Sequence, residues 1–408
     1  MHRVDARMSG RVGAMKPLML VSELEDYTIS LANGVAAHVP VVLVVPRRRY
    51  DRLAAEFRPE VDLRLMDWPR HSGLSNPRFL VDLTRLIRNE RPSVIHMLSN
   101  TTLWLNAAMP FWRGVPLVTT VHDVELHPGD VETATLPRWA TDLAARQSDD
   151  IIVHGESLRD LAAARFKKRP ERIHVLPHPA IVRYAESARR AGLARRPGSR
   201  PFTLLLFGRI FAYKGLTDLI RAEALLGGRL RDLRIVIAGR GDDPWAHRDL
   251  MGDPTRYETH SGFIEDDDVA RLFLDADAVA LPYVEASQSG VLNLAAAFGR
   301  PVIATDVGEL GATVATHDLG LIVPPGDPGR LAAAIADLAG RPDLAARLGA
   351  NALAWASGPN APVAVGAKTV ALYREIVGRM TASRRPAFPA AALTDEGDAR
   401  PRHEANRW

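Results

Sequence analysis

Short runs of Val, Ile and Leu recur along the chain, each separated from the next by enough sequence for one helix and its turns. Most of the runs are apolar at successive positions, not alternate ones. That is how strands read when a parallel sheet is covered by crossover helices on both faces. A first set predicts strands at Pro17–Ser22, Pro40–Val45, Val61–Met66, Val94–Leu98, Leu117–Val121, Ile151–Val153 and Ile173–Leu176. A second set predicts them at Phe202–Phe207, Leu233–Ala238, near Thr259, and at Ala278–Leu281, Val302–Ala304 and Leu321–Val323. Between the sets, Ala185–Arg200 crowds Arg189, Arg190, Arg195 and Arg196 beside Pro197 and Gly198, which predicts a polar linker with little to bury. The expected architecture is α/β, with two doubly wound domains at 17–184 and 201–361 facing across a cleft. A helical segment over 362–380 follows the second domain and is expected to pack back on the first. Residues 1–16 read as a flexible arm, and 384–408, which mix Pro, Ala and charges without periodicity, as a disordered tail.

The composition narrows the function classes. The chain has 408 residues, 47% hydrophobic and 25% charged, the profile of a folded protein. Cysteine is absent, which removes disulfides, thiolate metal sites and cysteine nucleophiles and fits a reducing cytoplasmic compartment. The 52 basic and 48 acidic residues leave a net charge of only +4, too balanced for a nucleic-acid footprint. No apolar run approaches the roughly 18 residues that a membrane span needs. Arg47-Arg48-Arg49 and the linker arginines read as solvated loop charge, with a peripheral contact to an anionic membrane face as the alternative.

Two loops carry candidate chemistry. After the strand Phe202–Phe207 comes Gly208-Arg209-Ile210-Phe211-Ala212-Tyr213-Lys214-Gly215, which turns at Gly208 and sets two cations beside the amides of a new helix, a favourable place for phosphate. The chain has only five lysines, so arginine is its default cation and Lys214 is the more notable. After Ala278–Leu281 comes Tyr283-Val284-Glu285, then Ser289-Gly290-Val291 opening a helix with free amide donors, then Asn293. A carboxylate such as Glu285 suits sugar hydroxyls because it accepts two directional hydrogen bonds. Taken singly, each loop also reads as a solvated basic turn or a helix cap. No histidine–carboxylate spacing suggests a metal.

Together the two loops and the following Gly299-Arg300-Pro301-Val302-Ile303-Ala304-Thr305 resemble the donor domain of glycosyltransferase family 4, the retaining nucleotide-sugar enzymes of GT-B architecture with two Rossmann-like domains. The resemblance implies that Arg209 and Lys214 bind the donor diphosphate and that Glu285 binds hydroxyls of the transferred sugar. It gives Gly208, Ser289, Gly290 and Val291 to phosphate and sugar, Gly239 and Gly241 to the nucleotide pocket, and Phe263 and Ile264 to the nucleobase. Asn293 stands where the family usually has a second glutamate that holds the ribose, so that contact is expected to weaken by about 1–2 kcal/mol.

In the first half, Thr119-Thr120-Val121-His122-Asp123 resembles the family's T-x-H-D strand end and implies that His122 sits near the reacting sugar. A histidine capping a strand end through Asp123 is the other reading. Asn100, Thr101 and Thr102 follow another strand end and are expected to meet acceptor hydroxyls. The acidic Glu23, Glu25 and Asp26 replace the glycines that many members carry after the first strand. The function expected is retaining transfer of a sugar from a nucleotide-diphosphate sugar to a glycan, glycolipid or small-molecule acceptor. No cofactor, metal or nucleic acid is expected to take part. A non-catalytic nucleotide-sugar-binding protein and a nucleotide-sugar epimerase are the alternatives.

Overall fold

The computed structural model describes residues 15–69, 76–99, 103–124, 138–196 and 200–383. The expected N-terminal arm, apart from its last two residues, and the C-terminal tail lie outside this set, as do Asn100, Thr101 and Thr102. The first domain alternates strands β1 (Pro17–Leu20), β2 (Val41–Pro46), β3 (Val61–Met66), β4 (Val94–Met97), β5 (Leu117–Thr120), β6 (Asp150–Val153) and β7 (Ile173–Val175) with helices. These helices are α1 (Glu25–Ala36), the single turn α2 (Arg47–Tyr50), α3 (Asn76–Glu90), α4 (Arg138–Gln147) and α5 (Ser157–Phe166). Helix α6 (Arg183–Arg190) leads out. The second domain comprises β8 (Phe202–Phe207), β9 (Leu233–Gly239), β10 (Tyr257–Ser261), β11 (Ala278–Leu281), β12 (Val302–Thr305) and β13 (Gly320–Val323). Its helices are α7 (Leu216–Leu226), α8 (Asp266–Asp275), α9 (Gly290–Ala297), α10 (Gly308–His317), α11 (Pro328–Gly340) and α12 (Pro342–Ser357), and α13 (Pro362–Ser383) closes the described chain.

Every strand pairing is parallel, and the orders are β3-β2-β1-β4-β5-β6-β7 and β10-β9-β8-β11-β12-β13. The inner strands are buried on both sides because crossover helices cover both faces, as all six residues of β2 show, while the edge strands β3, β7, β10 and β13 are only partly buried. This is the GT-B arrangement that the resemblance implied. In each sheet the order reverses beside its first strand, between β1 and β4 and between β8 and β11. At such a switch point the loops leave in opposite directions and a crevice opens at the carboxyl ends of the strands.

Two segments depart from a plain two-lobe picture. Helix α13 lies on α1, and its Val365, Val370, Tyr373 and Ile376 join the first domain's core. The approach is close enough that a Cβ on Gly34 would sit 2.0 Å from Pro362 O. The stretch from Ala185 onward, expected to have little to bury, instead begins inside α6, where Tyr184, Ala185 and Ala188 pack inward while Arg189 and Arg190 face solvent. The charge run marks the outer side of an amphipathic helix.

Candidate active site

The loop after β8 is stitched to its neighbours by backbone hydrogen bonds. Gly208 N–H donates to Ala238 O (2.9 Å), Ile210 N–H to Arg240 O (2.7 Å), Asp242 N–H to Ile210 O (2.7 Å) and Gly262 N–H to Gly239 O (2.9 Å). Gly208, Gly239 and Gly241 therefore share one layer above the β8, β9 and β10 ends. On the other side, Val284 N–H donates to Tyr213 O (2.8 Å). Gly215 has φ +70°, and a Cβ there would lie 1.8 Å from Pro282 O, so glycine is what lets the β8 loop close on the end of β11.

That closure brings the two predicted loops together. The Lys214 side chain is buried, and its Nζ lies 3.8 Å from the Tyr283 ring centroid and 5.2 Å from that of Tyr213. The hydroxyls of Tyr283 and Ser289 are hydrogen-bonded at 3.1 Å. Ser289 caps α9, its Oγ accepting from Leu292 N–H at 3.3 Å. Burial pushes the Tyr283 phenol up, while the Ser289 hydrogen bond and the charge of Arg209 act against it, which puts Arg209 in the same neighbourhood. Val291 packs within reach of Gly208, whose Cβ would meet Val291 Cγ2 at 3.5 Å. Glu285 is exposed on the loop between β11 and the cap of α9. Lys214, Arg209 and the amino-terminal end of α9 thus border one crevice at the β8/β11 switch point.

The facing switch point has a different character. Tyr27 on α1 is ringed by His122 (centroids 4.5 Å apart), His178 (4.9 Å) and His154 (5.4 Å). Each histidine donates one ring N–H to a carbonyl: His122 Nε2 to Leu98 O (2.9 Å), His154 Nδ1 to Leu176 O (2.9 Å) and His178 Nδ1 to Pro179 O (2.8 Å). Burial, reinforced by their mutual proximity, holds His122 and His154 down at about 3 and His178 at about 4, so all three are neutral at physiological pH. His122 is thereby tied to the end of β4. The acidic residues after β1 are also engaged: Glu25 pairs with Arg49 (3.2 Å), and Asp26 accepts from Arg183 Nε (2.6 Å).

The comparisons with known proteins bear on this geometry. The family model described as "Glycosyl transferases group 1" matches residues 201–341, and the "Glycosyl transferase 4-like domain" model matches 24–179. The chain is 30% identical over 276 residues to the alpha-D-kanosaminyltransferase of Streptomyces kanamyceticus, covering 64% of this chain and 71% of that protein. It belongs to the group 1 glycosyltransferases. Among solved structures, sucrose-phosphate synthase from Thermosynechococcus elongatus superposes with a TM-score of 0.67 at 19% identity, covering 89% of this chain and all of that one (100%). Anabaena HepE, solved in complex with UDP-glucose, does so with a TM-score of 0.63 at 17% identity, covering 90% and 100%.

In this glycosyltransferase the lobes also touch through side chains that the sequence reading passed over. Arg183, buried, donates to Asp26 of the first domain and to Asp266 of the second, the latter at 2.6 Å and 3.1 Å. Glu309 at the start of α10 accepts through Oε1 from both the backbone N–H (2.8 Å) and the hydroxyl of Ser157, completing the amino end of α5, whose own N-cap residue supplies no side-chain bond. Gly155 leaves the room for it. Asn293 is buried with both amide groups occupied, Nδ2 donating to Ser289 O (3.1 Å) and Oδ1 accepting from Asn360 Nδ2 (2.7 Å). Its side chain therefore braces α9 against the turn before α13. Asn360, 67 residues away along the chain, leaves no local signal. Gly290 faces Ile181 of the connecting segment, at 3.7 Å from its would-be Cβ. Phe263 is exposed with the Arg52 guanidinium 5.3 Å from its centroid, while Ile264 packs on the second domain's core. Among the described residues no group of three or more His, Asp or Glu is placed to hold a metal ion, and no helix is long and apolar enough to cross a membrane.

Proposed function

We propose that the chain is a retaining glycosyltransferase that moves a sugar from a nucleoside-diphosphate sugar to a hydroxyl of a glycan, glycolipid or natural-product acceptor. The observation that carries this reading is the contact chain from Lys214 through Tyr283 and Ser289 to the amino end of α9. Breaking the bond from the anomeric carbon to oxygen puts negative charge on the departing diphosphate and positive charge on the sugar ring. Arg209, Lys214 and the α9 amides answer the first, as fixed donors aimed at developing charge do, with no metal ion needed as counter-charge. Glu285 takes hydroxyls of the transferred sugar. Neutral His122, its Nε2–H spent on Leu98, offers Nδ1 as an acceptor beside the sugar. The leaving phosphate takes the acceptor's proton on the same face, and no side chain forms a glycosyl adduct. Gly239, Gly241, Phe263 and Ile264 hold the nucleoside.

The test is thermal unfolding with a panel of nucleoside diphosphates, because a ligand that binds only the folded state stabilises it by about 2.7 kcal/mol at one hundred times its dissociation constant. A shift for one base is expected, together with slow release of free sugar from the matching donor. No shift with any nucleoside diphosphate would sink the reading. A donor whose sugar is altered with no acceptor present would point to epimerisation instead.

A further inference from the structure

Helix α6 travels with the second lobe: Ala180 and Ile181 before it and Tyr184 within it lie in that lobe's core, and the helix packs mainly on α8. From there it reaches back to the first lobe twice. Arg183 Nε donates to Asp26 Oδ1 (2.6 Å) and the Tyr184 hydroxyl to Asp26 Oδ2 (3.1 Å), while Arg190 pairs with Glu56 at 3.9 Å. The first lobe reaches the other way through Arg52, which pairs with Glu265 at 4.0 Å and lies over the Phe263 ring. Asp26 follows β1, Arg52 and Glu56 follow β2, and Phe263 and Glu265 follow β10, so the three arginines span one margin of the cleft. The covalent connections lie toward the other margin. One leaves β7, the far edge of the first sheet, and the other leaves α12, which packs on α9 and on β13, the far edge of the second.

The three pairs differ in how firmly they hold. Arg52–Glu265 and Arg190–Glu56 are long and largely exposed, the kind of pair that contributes little singly and fades in salt. Arg183 is buried, and it keeps a partner whichever way the lobes sit. Asp266, on its own lobe, holds its Nη1 at 2.6 Å and its Nη2 at 3.1 Å. Parting from Asp26 therefore strands no unpaired buried cation, which is what makes a buried ion pair costly to break. We infer that the three arginines form a reversible clasp: the ligand-free chain rests with its lobes drawn together on the β2/β10 side, and the cleft opens when Asp26, Glu56 and Glu265 exchange their arginines for water. The covalent side acts as the hinge. The β8/β11 crevice lies between the two margins, so entry to it follows opening, and in the transfer reading reclosure excludes water. The clasp itself does not rest on that reading.

The chain has no cysteine, so two introduced ones carry the only spin labels. Val81→Cys on α3 and Leu225→Cys on α7, both exposed positions, place one label on each lobe, and pulsed electron resonance on the full chain reads the distance between them. At low salt one short distance is expected to dominate. Salt at about 1 M, where screening acts within about 3 Å, is expected to add a longer one. Asp26→Ala and Arg52→Ala are each expected to raise the longer population at least ~5-fold at low salt. Arg52 is exposed and supports no core, so that variant carries the test should Asp26→Ala fail to fold. Glu309→Ala, which removes the contact with Ser157 after β6 and β12, is expected to leave the distribution unchanged. A distribution that answers neither to salt nor to the folded clasp variants overturns the inference, as does a Glu309→Ala chain that opens as far as they do. No substrate is added, so the result stands apart from whether the chain transfers sugar.

Discussion

The two switch points share a topology and differ in charge. Each sheet reverses its strand order beside its first strand and opens a crevice there. At β8/β11 the crevice is edged by a buried lysine, an arginine and a capped helix start. At β1/β4 it is edged by Tyr27, three neutral histidines and carboxylates already engaged by Arg49 and Arg183. The doubly wound fold makes both crevices, and a handful of loop residues sets the charge that each presents. In the proposed reaction, the permanent charge stands on the side where charge would develop.

The largest effect should come from removing the charge on the cationic side. Lys214→Met keeps the stem over Tyr283 and deletes the ammonium; it is expected to lower kcat by about 10²–10³-fold, the range for losing one preorganised charge-stabilising group. Steady-state kinetics with the matching donor measure it, and near-normal turnover would erase the contrast between the two crevices.

The histidine side should show its character in pH dependence. Burial holds His96, His122, His154 and His178 below their ordinary range. The unfolded chain takes up protons near pH 6.5 that the folded chain refuses until about 3 to 4, so their contribution is complete above pH 6.5 and is lost as pH falls through that window. The slope is about 1.4 kcal/mol per pH unit for each proton of difference. Denaturant unfolding between pH 7 and 4 should show this loss, and His154→Phe should flatten it by about one proton. An unchanged slope would mean that these rings titrate normally.

The smallest expected effect lies where the lobes meet. Glu309→Gln keeps an acceptor for Ser157 but loses the charge at the α5 amino end, with an expected cost of about 0.3–1 kcal/mol that shrinks in salt. Scanning calorimetry at low and high ionic strength reads it.

How much of this the sequence revealed follows from how local each feature is. The thirteen strands of the described residues were legible, most of them because parallel strands buried on both faces leave unbroken apolar runs; the edge strands β3 (VDLRLM) and β10 (YETHS) carry polar residues and were legible from their place between helical stretches. The β8 and β11 loops were legible because each motif is contiguous. Helix α6 was not, since arginines on its outer side look like solvated linker until Tyr184 and Ala188 are seen packing inward. Asn293 was read as a weakened ribose contact; its engagement by Asn360 depends on a tertiary contact that spacing along the chain does not disclose. Spacing along the chain does not disclose that His154 and His178 join His122; only the meeting of β6, the exit from β7 and α1 around Tyr27 makes them one cluster.

The polypeptide passes between the lobes twice, once leaving β7 and once entering α13, so the second lobe is an insertion within the first. Asn360 fastens the two passages: its carbonyl accepts from Ala180 N–H (3.0 Å), and its side chain donates to His178 O. Two tethers pinned together constrain one lobe against the other more tightly than a single tether would, as paired pins hold a door to one line. That pivot passes where His178 meets Asn360, so a loosened pin there would let the two crevices drift apart.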